Sequence, residues 1–203
     1  MITPGKIVCV GRNYRAHAAE LGNDVPGFPL IFLKPPSALI AEGMPIRLPS
    51  ASNRVEFEGE IGVVLGARLV DASEAQATAA IAGIVAVNDV TARDLQYSDG
   101  QWTRAKGFDS FCPVGSVGPV PNDLSALEMI TRVNGEERQR GHASDMVFAI
   151  PMLLSYISRI MTLEIGDLIA TGTPAGVGPL ISGDQVEIEI VGVSRVANPV
   201  VSR

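Results

Sequence analysis

Glu58 and Glu60 sit in Val55-Glu-Phe-Glu-Gly-Glu-Ile-Gly-Val-Val64, Asp89 in Val85-Ala-Val-Asn-Asp-Val-Thr91, and Lys106 in Ala105-Lys-Gly-Phe108. These are charged residues in apolar or glycine-rich surroundings. Ionised carboxylates at the edge of a core need a strong compensating partner, and a divalent cation is the obvious candidate. On a strand, side chains alternate faces, so Glu58 and Glu60 point the same way, and Gly59 leaves the opposite face open to close packing. Asp89 falls within or just after a second apolar strand. Three oxygen donors with no Cys or neighbouring His suit a hard cation such as Mg²⁺ or Mn²⁺. The competing reading of Glu-x-Glu is a solvent face or a charged edge strand. Glu56 shares the same face and is a ligand, a supporting group or a solvated residue.

A second pattern lies near the N-terminus. His17 and Glu20 are three residues apart in a helical stretch, a spacing that lets a carboxylate orient an imidazole for general-base work. A surface hydrogen bond is the plainer alternative. Gly172-Thr-Pro-Ala-Gly-Val-Gly178 has the glycines of a phosphate loop, but Pro174 and Pro179 argue against a helix opening after it. We read it as a turn in which Thr173 can donate a hydrogen bond. His142 has no partner at metal or triad spacing. Cys112 lacks an adjacent His, so both cysteines, Cys9 and Cys112, read as reduced core residues.

These residues need elements to position them. Strands are expected at Ile7–Val10, Leu30–Leu33, Glu60–Leu65, Ile84–Val90, Leu168–Thr171 and Val186–Val191, the second ended by Pro35-Pro36. Helices are expected at Tyr14–Leu21, Ala72–Ala82 and Ser144–Met161, the last with Ser144 as N-cap. Asn134-Gly135 and Ser182-Gly-Asp184 read as hairpin turns. The pattern predicts a single α+β, strand-dominated domain over 1–203.

The chain has 203 residues, 46% of them hydrophobic, and a formal net charge of −6. A chain this long can bury roughly 70% of its unfolded surface. The acidic balance argues against a nucleic-acid partner, which needs clustered Lys and Arg, and favours a small substrate. No apolar run reaches the ~18–20 residues of a membrane span, and the first residues do not read as a signal peptide. A cytoplasmic protein is expected.

Seven segments occur in the order found in one family: Gly11-Arg-Asn-Tyr14, Phe32-Leu-Lys-Pro35, Glu58-Gly-Glu-Ile-Gly-Val-Val64, Asn88-Asp-Val-Thr-Ala-Arg-Asp-Leu-Gln96, Lys106-Gly-Phe-Asp109, Val133-Asn-Gly135 and Thr171-Gly-Thr-Pro-Ala-Gly-Val-Gly178. Together they resemble the fumarylacetoacetate hydrolase family along nearly the whole chain, most closely its short members: acylpyruvate hydrolases, oxaloacetate decarboxylases and isomerases of aromatic breakdown.

The resemblance implies a mixed, rolled β-sheet fold, a homodimer, and Mg²⁺ or Mn²⁺ held by Glu58, Glu60 and Asp89. It implies that Lys106 is the active-site lysine, that His17 and Glu20 form a dyad on a mobile lid spanning 13–29, and that Lys34, Arg93, Gln96 and Thr173 line the substrate pocket. For Arg93, a structural ion pair with Asp89 or Asp94 is the alternative. Many relatives carry His where this chain has Glu56. The implied activity is cleavage of a C–C bond in a small 2-oxo acid through a metal-stabilised enolate, as an acylpyruvate hydrolase or oxaloacetate decarboxylase. The alternatives are an isomerase/decarboxylase acting on 2-hydroxymuconate-type intermediates, or a metal-binding relative without turnover.

Overall fold

The computed structural model describes residues 2–20 and 22–202. The expected helix end at Leu21 and the extreme residues of the 1–203 domain lie outside the described residues. Ten strands build two sheets of five: β1 Ile7–Gly11, β2 Leu30–Lys34, β3 Ile46–Leu48, β4 Gly59–Leu65, β5 Ile81–Asn88, β6 Glu128–Val133, β7 Glu136–His142, β8 Leu168–Ala170, β9 Gln185–Ile190 and β10 Ser194–Ser202. The first sheet runs β2-β1-β8-β4-β5 and the second β7-β6-β9-β10-β3. Each is mixed, with one parallel pair, β1 with β8 and β10 with β3, among antiparallel neighbours. The strand-dominated α+β architecture is therefore as the sequence predicts.

The apolar runs of β1, β4 and β5 are continuous because both faces of the first sheet are covered. Val8, Val10, Ile61, Val63, Ile84 and Ala86 turn towards Met129, Ile188 and Val196 of the second sheet. Ile7, Cys9, Val64, Val85, Val87 and Leu168 turn the other way, onto Ala38, Cys112 and Val114. Each Val, Ile, Leu or Met side chain among them contributes about 1.5–3 kcal/mol on burial. Gly59 lets the two sheets approach closely: a Cβ there would lie 2.1 Å from Thr131 Oγ1 and 3.0 Å from the Met129 sulfur. The expected packing behind the Glu58–Glu60 pair is thus present. Both cysteines are free and buried.

The helices are α1 Arg15–Glu20, α2 Glu74–Ala79, α3 Arg93–Asp99, α4 Thr103–Lys106 and α5 Ile150–Ser158. Two are shorter than expected. The start of α2 is fixed by a capping box in which the Ser73 hydroxyl accepts from Gln76 N–H, and Ile81 and Ala82 leave the helical pattern to open β5. In place of one helix from Ser144, a 3₁₀ turn at Ala143–Asp145 precedes α5. The intervening backbone is captured by Asn13, whose carbonyl accepts from Val147 N–H and whose side chain accepts from Phe148 N–H. Helix α5 then starts with Pro151 in its first turn, where the missing N–H costs nothing.

Asn134-Gly135 does close the β6–β7 hairpin. Ser182-Gly-Asp184 does not: it joins the short strand Gly178–Pro179, which pairs with Val55–Phe57, to β9 in a different sheet. Its geometry is set by the Asp184 carboxylate accepting from Ile181 N–H, a local bond that says nothing about strand pairing. No helix among the described residues is long and apolar enough to cross a membrane.

Candidate functional site

The acidic residues come together where β4 begins and β5 ends. Glu58 lies between the strand Val55–Phe57 and β4, and its N–H donates to the Asn88 side-chain oxygen at 3.0 Å. Its carbonyl accepts from Asp89 N–H at 2.8 Å, so the two ligand candidates share one backbone tie across the β4–β5 pair. Glu60 follows on β4. Carboxylate oxygens of Glu58, Glu60 and Asp89 lie within 4.8 Å of one another, and all three residues are buried.

Cations crowd the same place. Lys106, at the end of α4, bridges Glu58 Oε2 at 2.7 Å and Asp89 Oδ2 at 2.6 Å. Lys34, at the end of β2, donates to Asp89 Oδ1 at 2.6 Å and to the Val90 carbonyl at 3.1 Å. Arg93, opening α3, donates to Glu58, to Gln96, and through Nε to Glu56 Oε2 at 2.7 Å. Arg54 Nε reaches the other Glu56 oxygen at 2.6 Å. Glu56 is therefore neither solvated nor part of the ligand cluster. It holds Arg93, whose partners are Glu56 and Glu58 rather than Asp89 or Asp94.

Electrostatics separate the carboxylates. Burial alone would raise the Glu58 carboxyl, but Lys106 and Arg93 beside it hold it well below the usual carboxylate range. Burial, with Asp89 and Glu58 alongside, pushes Glu60 well above that range. Glu60 forms no ion pair among the described residues; its Oε2 accepts only the Gly172 N–H, at 2.8 Å. For Lys106, burial works against the charge, and Asp89 and Glu58 more than restore it.

The donor set fits a divalent metal. It consists of hard carboxylate oxygens with no thiolate or imidazole among them, and it includes one buried carboxylate lacking a counter-ion.

The cluster opens into a cavity of about 750 Å³ whose lining includes Glu58, Glu60, Asp89, Lys106, Arg93 and His17. His17 is 5% exposed on α1, and its Nδ1 lies 3.3 Å from Glu20 Oε2. The second Glu20 oxygen accepts Gly176 N–H at 3.0 Å, which ties α1 to the glycine-rich loop. Gln96 and Thr173 also line the cavity. Thr173 Oγ1 accepts from Gln139 Nε2 at 2.7 Å, so its own proton is free to donate. Lys34 does not reach the wall and stands behind Asp89.

The residues not singled out by spacing are Asn88, Gln139 and Trp102. Gln139 is buried, and its Oε1 accepts from Gly59 N–H while its amide reaches Thr173 and Pro174. It comes from β7 on the second sheet, far away in sequence. Trp102 packs edge-on to Phe32 with centroids 5.2 Å apart, and the Lys106 ammonium sits 5.1 Å from the Phe32 ring.

Residues 6–201 match the family profile described as fumarylacetoacetate (FAA) hydrolase, C-terminal. The chain belongs to the fumarylacetoacetate hydrolase family. It is 47% identical over 197 residues to the mitochondrial oxaloacetate tautomerase FAHD1 of Arabidopsis thaliana, covering 94% of this chain and 88% of that protein. The Mus musculus tautomerase is 46% identical over 194 residues, covering 92% and 87%. Among solved structures, the 2-hydroxyhepta-2,4-diene-1,7-dioate isomerase of Mycobacterium marinum superposes with a TM-score of 0.91 at 48% identity, over 100% of this chain and 76% of that one. Members of this family are thus enzymes, tautomerases and isomerases among them.

Proposed function

We propose that this protein is an enolate-forming enzyme that moves a proton next to the keto group of a small 2-oxo acid, interconverting keto and enol forms of oxaloacetate or a close analogue at a Mg²⁺ or Mn²⁺ site. The observation that carries the reading is the convergence of three buried carboxylates, an ammonium and an imidazole on one cavity. The oxaloacetate tautomerases and the dioate isomerase that this chain resembles support the substrate type.

Glu58, Glu60 and Asp89 would hold the cation, which when bound draws electron density from the keto oxygen and lowers the cost of charge there. The proton chemistry belongs to the chain. His17, with Nδ1–H donating to Glu20, keeps the Nε2 lone pair to take the C3 proton while the keto oxygen gains one from solvent to give the enol. In the reverse direction the enol O–H gives its proton to solvent and the imidazolium returns one to C3. Glu20 stabilises the imidazolium formed between the two steps. Lys106 donates a hydrogen bond to the oxygen where enolate charge develops. Arg93, clamped by Glu56, keeps Glu58 ionised and oriented.

C–C cleavage is the second reading, and the His17–Glu20 pair favours it: the same base can activate a water for attack on an acylpyruvate, and that cleavage, like loss of CO₂ from oxaloacetate, leaves the enolate of pyruvate. The two are separated by following enol absorbance and pyruvate release together. Tautomerisation without pyruvate supports the first reading; pyruvate at the rate of enol loss supports the second. His17→Ala is expected to slow either reaction by about 10²–10⁴-fold. Equal rates with Mg²⁺, with EDTA and with His17→Ala would overturn both readings.

A further inference from the structure

Among the described residues, three with positively charged side chains line the cavity: Arg12, Arg93 and Lys106. Two are spent on buried carboxylates, Arg93 on Glu56 and Glu58 and Lys106 on Glu58 and Asp89. Arg12 makes no ion pair or hydrogen bond with any described residue. It is half-buried just after β1 and lines the same cavity as the carboxylates Glu58, Glu60 and Asp89.

The backbone that presents it is held against its preference. Arg12 has φ 57°, in the left-handed region that an L residue other than Gly, Asn or Asp enters at a cost. The flanking residues over-determine this turn. Asn13 Nδ2 donates to the carbonyls of Thr171 at 2.8 Å and Phe148 at 3.1 Å, and Asn13 Oδ1 accepts from Phe148 N–H. On the other side Gly11 lies so close to Trp102 that a Cβ would come within 2.8 Å of the ring. A clamped, strained residue that lines a cavity, with a cation unpartnered among the described residues, is suited to an anion.

We infer that Arg12 binds a second carboxylate of the substrate, at the end remote from the 2-oxo acid group, and so selects a 2-oxo dicarboxylic acid over a 2-oxo acid with a neutral tail. The inference rests on the enolate reading above and deepens it. The 2-oxo acid end belongs over Glu58, Glu60 and Asp89 with their cation. The remaining negative charge of a dianion then meets Arg12, the one lining cation among the described residues that is not already neutralised. A planar guanidinium suits this role because its N–H fork matches a carboxylate with two parallel hydrogen bonds.

The test compares oxaloacetate with acetylpyruvate in turnover, and oxaloacetate with oxalate in calorimetric binding, all with Mg²⁺. Oxalate carries the chelating end alone. Arg12→Gln is expected to raise KM and Kd for oxaloacetate by about 10- to 100-fold, the weight of a charge-assisted contact. It is expected to leave kcat, acetylpyruvate turnover and oxalate binding within about threefold. Arg12→Lys should recover part of the loss. Arg12→Gly should lose the same selectivity with a Tm no lower than wild type, because glycine enters this φ freely.

Losses equal for both substrates, or none, in an enzyme that turns over oxaloacetate would overturn the role of Arg12 and leave the enolate reading standing. A wild type without turnover of either acid would remove the enolate reading. The Arg12 assignment then survives if Arg12→Gln weakens oxaloacetate binding but not oxalate binding, and falls otherwise.

Discussion

Two regions of this molecule carry dense arrays of opposite charge. One is the buried network running Glu56–Arg93–Glu58–Lys106–Asp89–Lys34, with the exposed Arg54 reaching in to Glu56. The other lies on the second sheet, where Arg132 pairs with Glu187 at 2.9 Å and Glu189 at 2.7 Å, and Arg195 pairs with Glu187 and Glu42. The contact distances are alike; the surroundings differ. On the sheet surface water screens each pair, and an exposed pair is worth about 0–1 kcal/mol. In the core every charge depends on its neighbours, because the desolvation cost of leaving one unpaired is several kcal/mol. The surface ladder sets three carboxylates against two guanidiniums, an excess that water screens. Among the described buried residues Arg93, Lys106 and Lys34 match Glu56, Glu58 and Asp89 in number, Glu60 is the carboxylate left over, and that imbalance marks the site.

The sharpest way to break this contrast is to remove one member from each array. Arg93→Met leaves Glu56 and Glu58 without their shared cation and is expected to destabilise by about 3–5 kcal/mol in urea titration. A loss near that of a surface pair would mean the buried charges are not interdependent. Gly59→Ala tests the packing beneath the same residues. The added methyl meets Thr131 Oγ1, and about 1–3 kcal/mol of destabilisation is expected without any change in charge.

Glu60→Gln carries the opposite sign. The folded Glu60 carboxyl titrates above its unfolded value, so the folded state holds more protons. Its contribution to metal-free stability is present at low pH, below the unfolded value, and is lost as pH rises through the folded one. In EDTA at neutral pH the variant should therefore melt higher than wild type, and the stabilisation that Mg²⁺ gives wild type should vanish. A Mg²⁺-dependent rise in Tm that survives the substitution would remove Glu60 from the metal site. The smallest effect belongs to the surface: Arg132→Ala should cost no more than about 1 kcal/mol, and less as salt is added.

The elements legible in the sequence are those whose signal is local. Alternation and apolar runs locate β1, β2, β4 and β9 to within a residue or two, and Asn134-Gly135 its hairpin. Where a distant residue competes, local reading fails. The helix expected from Ser144 is interrupted because Asn13, more than 130 residues earlier, takes the backbone groups of Val147 and Phe148. The hairpin expected at Ser182–Asp184 is a turn between sheets. Lys34 was expected at the pocket wall and stands one layer behind it, bound to Asp89.

By itself the sequence determined the chemistry on offer: carboxylates two apart on a strand, a third after another strand, a His and Glu on one helical turn, and enough ordered motifs to place the chain in its family. Side-chain type and near-neighbour spacing are sequence properties, so these survive intact. Only the tertiary structure decided which charges are already satisfied. Glu56 goes to Arg93, Lys34 to Asp89, while Glu60 and Arg12 find no counter-charge among the described residues. Pairing depends on distances between segments tens to hundreds of residues apart, and on how much water the packed sheets leave between them. That is why the two cavity-lining residues without a counter-charge among the described residues, Glu60 and Arg12, are recognised as such only in the fold.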